Sequence, residues 1–200
     1  MSKLLFIDTE TGGLDPRAYS IFSLGAVVWE DGKLGDSFQV FIAEPNPVSE
    51  PEAMKVNRLD LNWLKENGVS PAKAIESFHQ FLARNFGGAQ TRDKIALAGH
   101  NVNFDVGFLR RLYSLADAKF DEVFSHRTLD TASVLRFLIV SGKVGIKDAG
   151  LGAALEFFKI TVEDDKRHTA LGDALATAAV LNCAIDLVKC AEPQDASKGS

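Results

Sequence analysis

Five side chains in this sequence can do chemistry together. Asp8 and Glu10 lie in Phe6-Ile7-Asp8-Thr9-Glu10, and Asp105 ends His100-Asn101-Val102-Asn103-Phe104-Asp105. His168 and Asp173 frame His168-Thr169-Ala170-Leu171-Gly172-Asp173. Carboxylate oxygens are the hard ligands that Mg²⁺ and Mn²⁺ prefer. Histidine is the side chain that ionises nearest neutrality, so it can take a proton from water there. Two like charges about 4 Å apart repel by about 4 kcal/mol at an effective dielectric of about 20. Four such groups stay ionised together only beside cations; otherwise they hold protons. A pair of divalent ions balances the four carboxylates and also clamps the attacking and leaving oxygens of a phosphodiester. The set therefore predicts two-metal phosphodiester hydrolysis.

The elements around these residues have to aim them. Asp8 and Glu10 are two apart at the end of a strand predicted over 4–8, and alternation turns both to one side. Asp105 falls in the first turn of a helix that follows a wholly apolar segment, 95–98, of the kind found in central strands covered on both faces. Asn103 is the expected cap of that helix, with Phe104, Phe108 and Leu112 facing inward. Asp173 falls in the first turns of the last helix, expected over 169–189, with Leu171, Leu175, Ala178, Leu181, Ile185 and Val188 inward. His168 stands five residues before Asp173, about 140° away on a continuous helix. Both can face one site only if His168 sits in the preceding loop or at the cap.

The rest of the chain supplies the frame. A strand over 21–29, the turn signal Glu30-Asp31-Gly32-Lys33 and the alternation of Phe38, Val40 and Ile42 predict an antiparallel meander. Residues 43–70, with Pro45, Pro47 and Pro51, read as loop with one or two short helices. Ser70-Pro71 starts a helix whose buried stripe is Ile75, Phe78 and Leu82, and Gly87-Gly88 ends it. A weak strand is expected over 124–128, and helices over 129–140 and 147–157. This order of elements predicts an α/β fold, a mixed sheet flanked by helices. One domain over 1–190 is expected, followed by a polar tail over 191–200, expected to be disordered.

Composition is that of a soluble globular chain: 200 residues, 46% hydrophobic and 24% charged. The net charge of -5 argues against a protein that coats long nucleic acid nonspecifically. It leaves metal-assisted nucleic-acid chemistry open, because cations reverse the local sign. Cys183 and Cys190 lie about two helical turns apart, too far to pair, and read as buried small hydrophobes in a reducing compartment. Only four apolar residues, Leu4 to Ile7, precede Asp8, and no apolar run approaching about 20 residues is apparent. A cytoplasmic protein that makes no membrane contact is the expectation.

The three segments, with Phe-Ile-Asp-Thr-Glu-Thr-Gly-Gly-Leu at the start, resemble the three exonuclease motifs of the DEDD superfamily in its histidine-containing branch. The resemblance runs from about residue 3 to 189. It implies a ribonuclease H-like fold with a five-stranded mixed sheet, and 3′-to-5′ release of nucleoside monophosphates from single-stranded DNA or RNA ends. Two divalent cations, Mg²⁺ or Mn²⁺, are implied, with Asp8, Glu10, Asp105 and Asp173 as metal-binding acids and His168 as general base. Leu14 matches the apolar wedge against the terminal bases. Thr11 and Gly12 match the backbone that holds the 3′ end, and Phe104 matches an aromatic that contacts the nucleotide. Glu52, Val56 and Asn57 match a loop over the 3′ terminus, while His100 and Asn101 are implied to shape the site. Gly12 departs from the threonine or alanine of many members, which leaves that contact to backbone groups.

Three other readings compete. A proofreading subunit would have a polymerase as partner, whereas Leu129-Asp130-Thr131-Ala132 is slightly more similar to ribonuclease T. Scattered basic residues, Arg110, Arg111, Lys143, Lys147, Lys166 and Arg167, are candidates to guide a strand, although such charges are more often solvated. A phosphatase of the haloacid-dehalogenase type needs an aspartate where Glu10 stands and gives His168 no role. A silent nucleic-acid-binding domain has no need to hold four mutually repelling acids together.

Overall fold

The computed structural model describes residues 3–87, 94–164 and 166–190. Its first three strands are β1 (Lys3–Thr11), β2 (Ile21–Glu30) and β3 (Lys33–Phe41), followed by two short helices, α1 (Pro51–Asn57) and α2 (Leu61–Asn67). The longer helix α3 (Pro71–Phe86) precedes β4 (Leu97–Gly99) and α4 (Asn103–Leu115). The remaining elements are α5 (Phe120–Val123), β5 (Leu129–Asp130), α6 (Thr131–Val140), α7 (Leu151–Phe158) and α8 (Ala170–Lys189). The strands form one mixed sheet in the order β3-β2-β1-β4-β5. Neighbours β1/β2 and β2/β3 are antiparallel, and β1/β4 and β4/β5 are parallel.

Period-two alternation along β1 divides the core into two layers. Leu5 and Ile7 join the apolar cluster of Phe78, Phe81, Phe108, Leu112 and Tyr113 from α3 and α4. Phe6 joins Val27, Trp29, Ala174, Ala178 and Leu181, the cluster beneath α8. Asp8 and Glu10 share the parity of Phe6 and so emerge on the α8 side, while Thr9 turns toward α4. Helix α8 lies unusually close to the sheet. A Cβ on Gly25 would be 2.2 Å from the Ala170 carbonyl carbon, so glycine is required for this approach.

Several boundaries differ from expectation for identifiable reasons. Asn103 is the first residue of α4 and not its cap; Val102 holds that position in helical geometry and makes no side-chain cap bond. The expected strand over 124–128 is reduced to a bridge between Phe124 and Ile95, and the strand itself is β5. Helix α6 begins after β5, where the Asp130 carboxylate accepts from the Ala132 and Ser133 amides. Helix α7 starts at Leu151 rather than 147, after Gly150. Cys183 is half-buried and Cys190 exposed, so neither is a core residue, and both are free.

Val188 is likewise exposed, because α8 runs past the edge of its apolar cluster. By length and composition alone α8 is long and apolar enough to cross a membrane, contrary to the expected absence of such a run, with a mean hydropathy of 1.6. Its buried alanine-rich face accounts for that composition by packing on the sheet. Gly88 and the tail over 191–200 lie outside the described residues.

Candidate active site

β1 carries Asp8 and Glu10 to the edge of the α8 layer, and the first turn of α8 carries Asp173 to meet them. One carboxylate oxygen from each of these three lies within 4.8 Å of the others. Asp105 enters from the other layer, at the start of α4, and is only 3% exposed. Its Oδ1 accepts from the Thr9 amide at 2.9 Å and from the Thr9 hydroxyl at 2.8 Å. Asp105 is thus held beside the three-acid group by the residue between Asp8 and Glu10. Thr9 escaped notice in the sequence; the cue was its parity, which aims it away from the two acids it separates.

Burial raises the pKa of all four acids, and repulsion from neighbouring carboxylates adds to the rise at Asp8 and Glu10. Glu10 is pushed up to about 8 by burial and by the charges of Asp173 and Asp105. Asp105 rises to about 7 through burial, with the Thr9 donors pulling the other way. Asp8 is raised well above the usual carboxylate range by burial, then by Asp105, Glu10 and Asp173. Asp173 is raised by burial, and the Arg167 guanidinium, ion-paired with its Oδ1, opposes the shift. Arg167 is therefore a counter-charge inside the site rather than one of a set of scattered surface cations.

His168 occupies the turn before α8 with left-handed backbone geometry, φ 60°. Thr169 is the N-cap, its hydroxyl oxygen accepting from the Gly172 amide at 3.1 Å and donating to the Lys166 carbonyl at 2.8 Å. A Cβ on Gly172 would come within 1.8 Å of the Lys166 carbonyl oxygen, so the turn folds tightly onto the first turn of the helix. This break in helical geometry removes the angular conflict between His168 and Asp173. Pocket-lining residues Glu10, Ser23, Asn57, Arg58, Arg167 and His168 enclose a cavity of about 220 Å³ beside the acids.

The candidate substrate residues divide by exposure. Leu14 is 80% exposed at the tip of the loop after β1, and Val56 and Glu52 are exposed on α1. Asn57 is buried and donates from Nδ2 to the Thr11 carbonyl at 2.7 Å, so it braces the backbone from inside. Gly12 donates to the Ser20 carbonyl at 2.7 Å and accepts from the Glu50 amide at 2.6 Å. A Cβ there would be 2.2 Å from the Val48 carbonyl oxygen, which explains why this chain has no threonine or alanine at that place. Phe104 is half-buried with its ring centroid 5.0 Å from that of Phe108. His100 Nδ1 lies 3.0 Å from the Thr131 hydroxyl, and the Asn101 amide donates to Asp130 at 2.7 Å. These two bonds tie the end of β4 to α6; burial lowers the pKa of His100.

Buried carboxylates whose charges oppose one another, converging from three elements, suit a divalent cation in number and hardness. The mixed sheet presents this group at the end of β1, in a ribonuclease H-like fold. The chain belongs to the exonuclease family of the RNase T type, which matches residues 5–181. A DNA polymerase III subunit epsilon-like protein of Rhodobacter capsulatus is 32% identical over 187 residues, taking in 89% of this chain and 23% of that protein. Ribonuclease T of Yersinia pseudotuberculosis is 27% identical over 178 residues, covering 86% of this chain and 79% of its own length. Exonuclease I of E. coli, solved with a dT13 oligonucleotide, shares the fold with a TM-score of 0.76 at 18% identity, over 92% of this chain and 41% of that one. The chain thus spans less than a quarter of the epsilon-like relative and under half of Exonuclease I.

Proposed function

We propose that the protein is a 3′-to-5′ exonuclease that releases nucleoside monophosphates from the ends of single-stranded DNA or RNA. The observation that carries this reading is the convergence of Asp8, Glu10 and Asp173 within 4.8 Å, in a chain of this family. Asp8, Glu10, Asp105 and Asp173 would hold two Mg²⁺ or Mn²⁺ ions, which supply Lewis-acid polarisation of the phosphate and offset the charge that builds on it. His168 takes the proton of the attacking water on an imidazole nitrogen, from a half-buried position that lines the same cavity as Glu10. Thr9 fixes the Asp105 carboxylate, and the backbone at Thr11 and Gly12 lies under the 3′ end. Leu14 and Phe104 meet the terminal base by apolar and stacking contact, which tolerates any sequence.

The test uses end-labelled DNA and RNA single strands, blocked or free at the 3′ end, with Mg²⁺, Mn²⁺ or chelator. A metal-dependent ladder confined to free 3′ ends is expected. Folded protein that binds metal and yields no ladder on any strand would instead indicate a silent binding domain. A second reading, a proofreading subunit, is favoured by the polymerase III names of several relatives. It predicts co-purification with a polymerase and preference for mispaired 3′ ends.

A further inference from the structure

The loop that carries Leu14 is fastened from beneath by a largely buried ion pair that includes none of the four acids. Glu44 and Arg111 have side-chain exposures of only 4% and 21%. Arg111 grips Glu44 with two nitrogens, Nη2 to Oε2 at 2.7 Å and Nε to Oε1 at 3.2 Å. The same carboxylate accepts from the Ser20 hydroxyl at 2.9 Å and from the Ile21 amide at 3.0 Å, so every lone-pair direction of Glu44 is engaged. The third Arg111 nitrogen, Nη1, donates to the Pro16 carbonyl at 3.2 Å. One guanidinium therefore joins α4, the helix that presents Asp105, to the loop that presents Leu14.

The rest of the loop leaves little freedom. Ser20 receives the Val48 amide on its hydroxyl at 3.0 Å, donates its own amide to the Val48 carbonyl at 3.0 Å, and accepts the Gly12 amide on its carbonyl at 2.7 Å. Ala18 and Tyr19 amides close onto the Asp15 carbonyl at 3.0 and 2.9 Å. Pro16 also packs on α4: a Cβ at Gly107 would be 3.1 Å from its ring. Leu14 thus stands 80% exposed on a loop whose backbone is closely held.

We propose that the Arg111–Glu44 pair is a positioning element that fixes Leu14 relative to the acid cluster, and so sets how the 3′-terminal base is gripped. Neither residue touches substrate; both act through the loop. Planar, bidentate geometry is what the task needs, since lysine donates from a single nitrogen and cannot reproduce the grip on both Glu44 oxygens together with the bond to the Pro16 carbonyl. The inference rests on the proposed role of Leu14.

The test compares the wild type with Arg111→Lys, Glu44→Gln, Leu14→Ala and the Arg111→Lys/Leu14→Ala double variant, each checked for folding by circular dichroism. Two readouts are taken: KM and kcat on single strands, and the fluorescence of a 3′-terminal 2-aminopurine, which reports unstacking of that base on binding in Ca²⁺. Loss of a charge-assisted hydrogen bond should raise KM about ten-fold in Arg111→Lys, with a smaller change in kcat and a weaker fluorescence response. In the Leu14→Ala background the same substitution should add less than about two-fold, because the two act as one unit. Multiplying effects in the double variant, or a fall in kcat at constant KM, would overturn the proposal. So would a folded Arg111→Lys and Glu44→Gln that both match the wild type in each readout. If Leu14→Ala itself matches the wild type, the role given to Leu14 fails, and the positioning proposal falls with it. If the wild type cuts no strand, the exonuclease reading fails instead.

Discussion

At the scale of single residues, the site depends on placing negative charge where the fold resists it. Asp8→Asn or Asp173→Asn removes a carboxylate from a group whose oxygens lie within 4.8 Å, and each should abolish strand degradation. Near-normal turnover in either, measured on labelled single strands, would remove these residues from the proposed metal set. His168→Ala should slow the reaction by about 10²–10⁴-fold, the range for loss of a general base. Thr9 gives a subtler test. Its hydroxyl and amide share Asp105 Oδ1 at 2.8 and 2.9 Å, so Thr9→Val deletes one donor and keeps the other. Activity should fall about ten-fold while the Mg²⁺ concentration for half-activity rises, because Asp105 then turns more freely. A Thr9→Val variant with an unchanged metal titration would mean that Asp105 needs no such restraint.

At the scale of elements, what matters is how closely α8 approaches the sheet. Gly25 on β2 faces the Ala170 carbonyl carbon, which a Cβ would meet at 2.2 Å. Backbone cannot move aside as a side-chain tip does, so Gly25→Ala should push the N-terminus of α8 outward. A loss of about 1–3 kcal/mol in urea unfolding is expected, with a disproportionate loss of activity because Asp173 and His168 travel with α8. Loss of stability at full specific activity would show that the helix start does not set the site.

Much of this frame is legible in the sequence. Alternation places Asp8 and Glu10 on one face, Ser70-Pro71 starts α3, and the five-residue gap from His168 to Asp173 requires the turn that is found. What is illegible depends on contacts between distant segments. No local signal pairs Arg111 with Glu44, 67 residues away, or directs Arg167 to Asp173 rather than to solvent. The Val102 cap escapes because Val102 makes no side-chain capping bond, and Asp105 in the first turn is tied to the distant Thr9 instead.

At the scale of the whole molecule, the site is a strain on the fold that a cation should relieve. A carboxyl whose pKa is raised in the folded state keeps a proton that the unfolded chain releases. Folding therefore takes up protons between the two values, and stability falls as pH rises through that window. Glu10 moves from 4.5 to about 8 and Asp105 from 3.8 to about 7, so the window in chelator runs from near 4 up to 8. In chelator the thermal midpoint should be lower at about pH 8.5 than at about pH 6, and Mg²⁺ should raise it more at the higher pH, where no proton competes for the carboxylates. Asp8→Asn separates this cause from general alkaline weakening. It removes one charge from the group, so in chelator it should be more stable than the wild type at about pH 8.5 and gain less from Mg²⁺. A substitution that destroys activity would thereby stabilise the metal-free protein, the signature of a site that sacrifices stability for function. Equal midpoints for wild type and Asp8→Asn in chelator at the higher pH would mean that the acids do not repel one another in the folded chain.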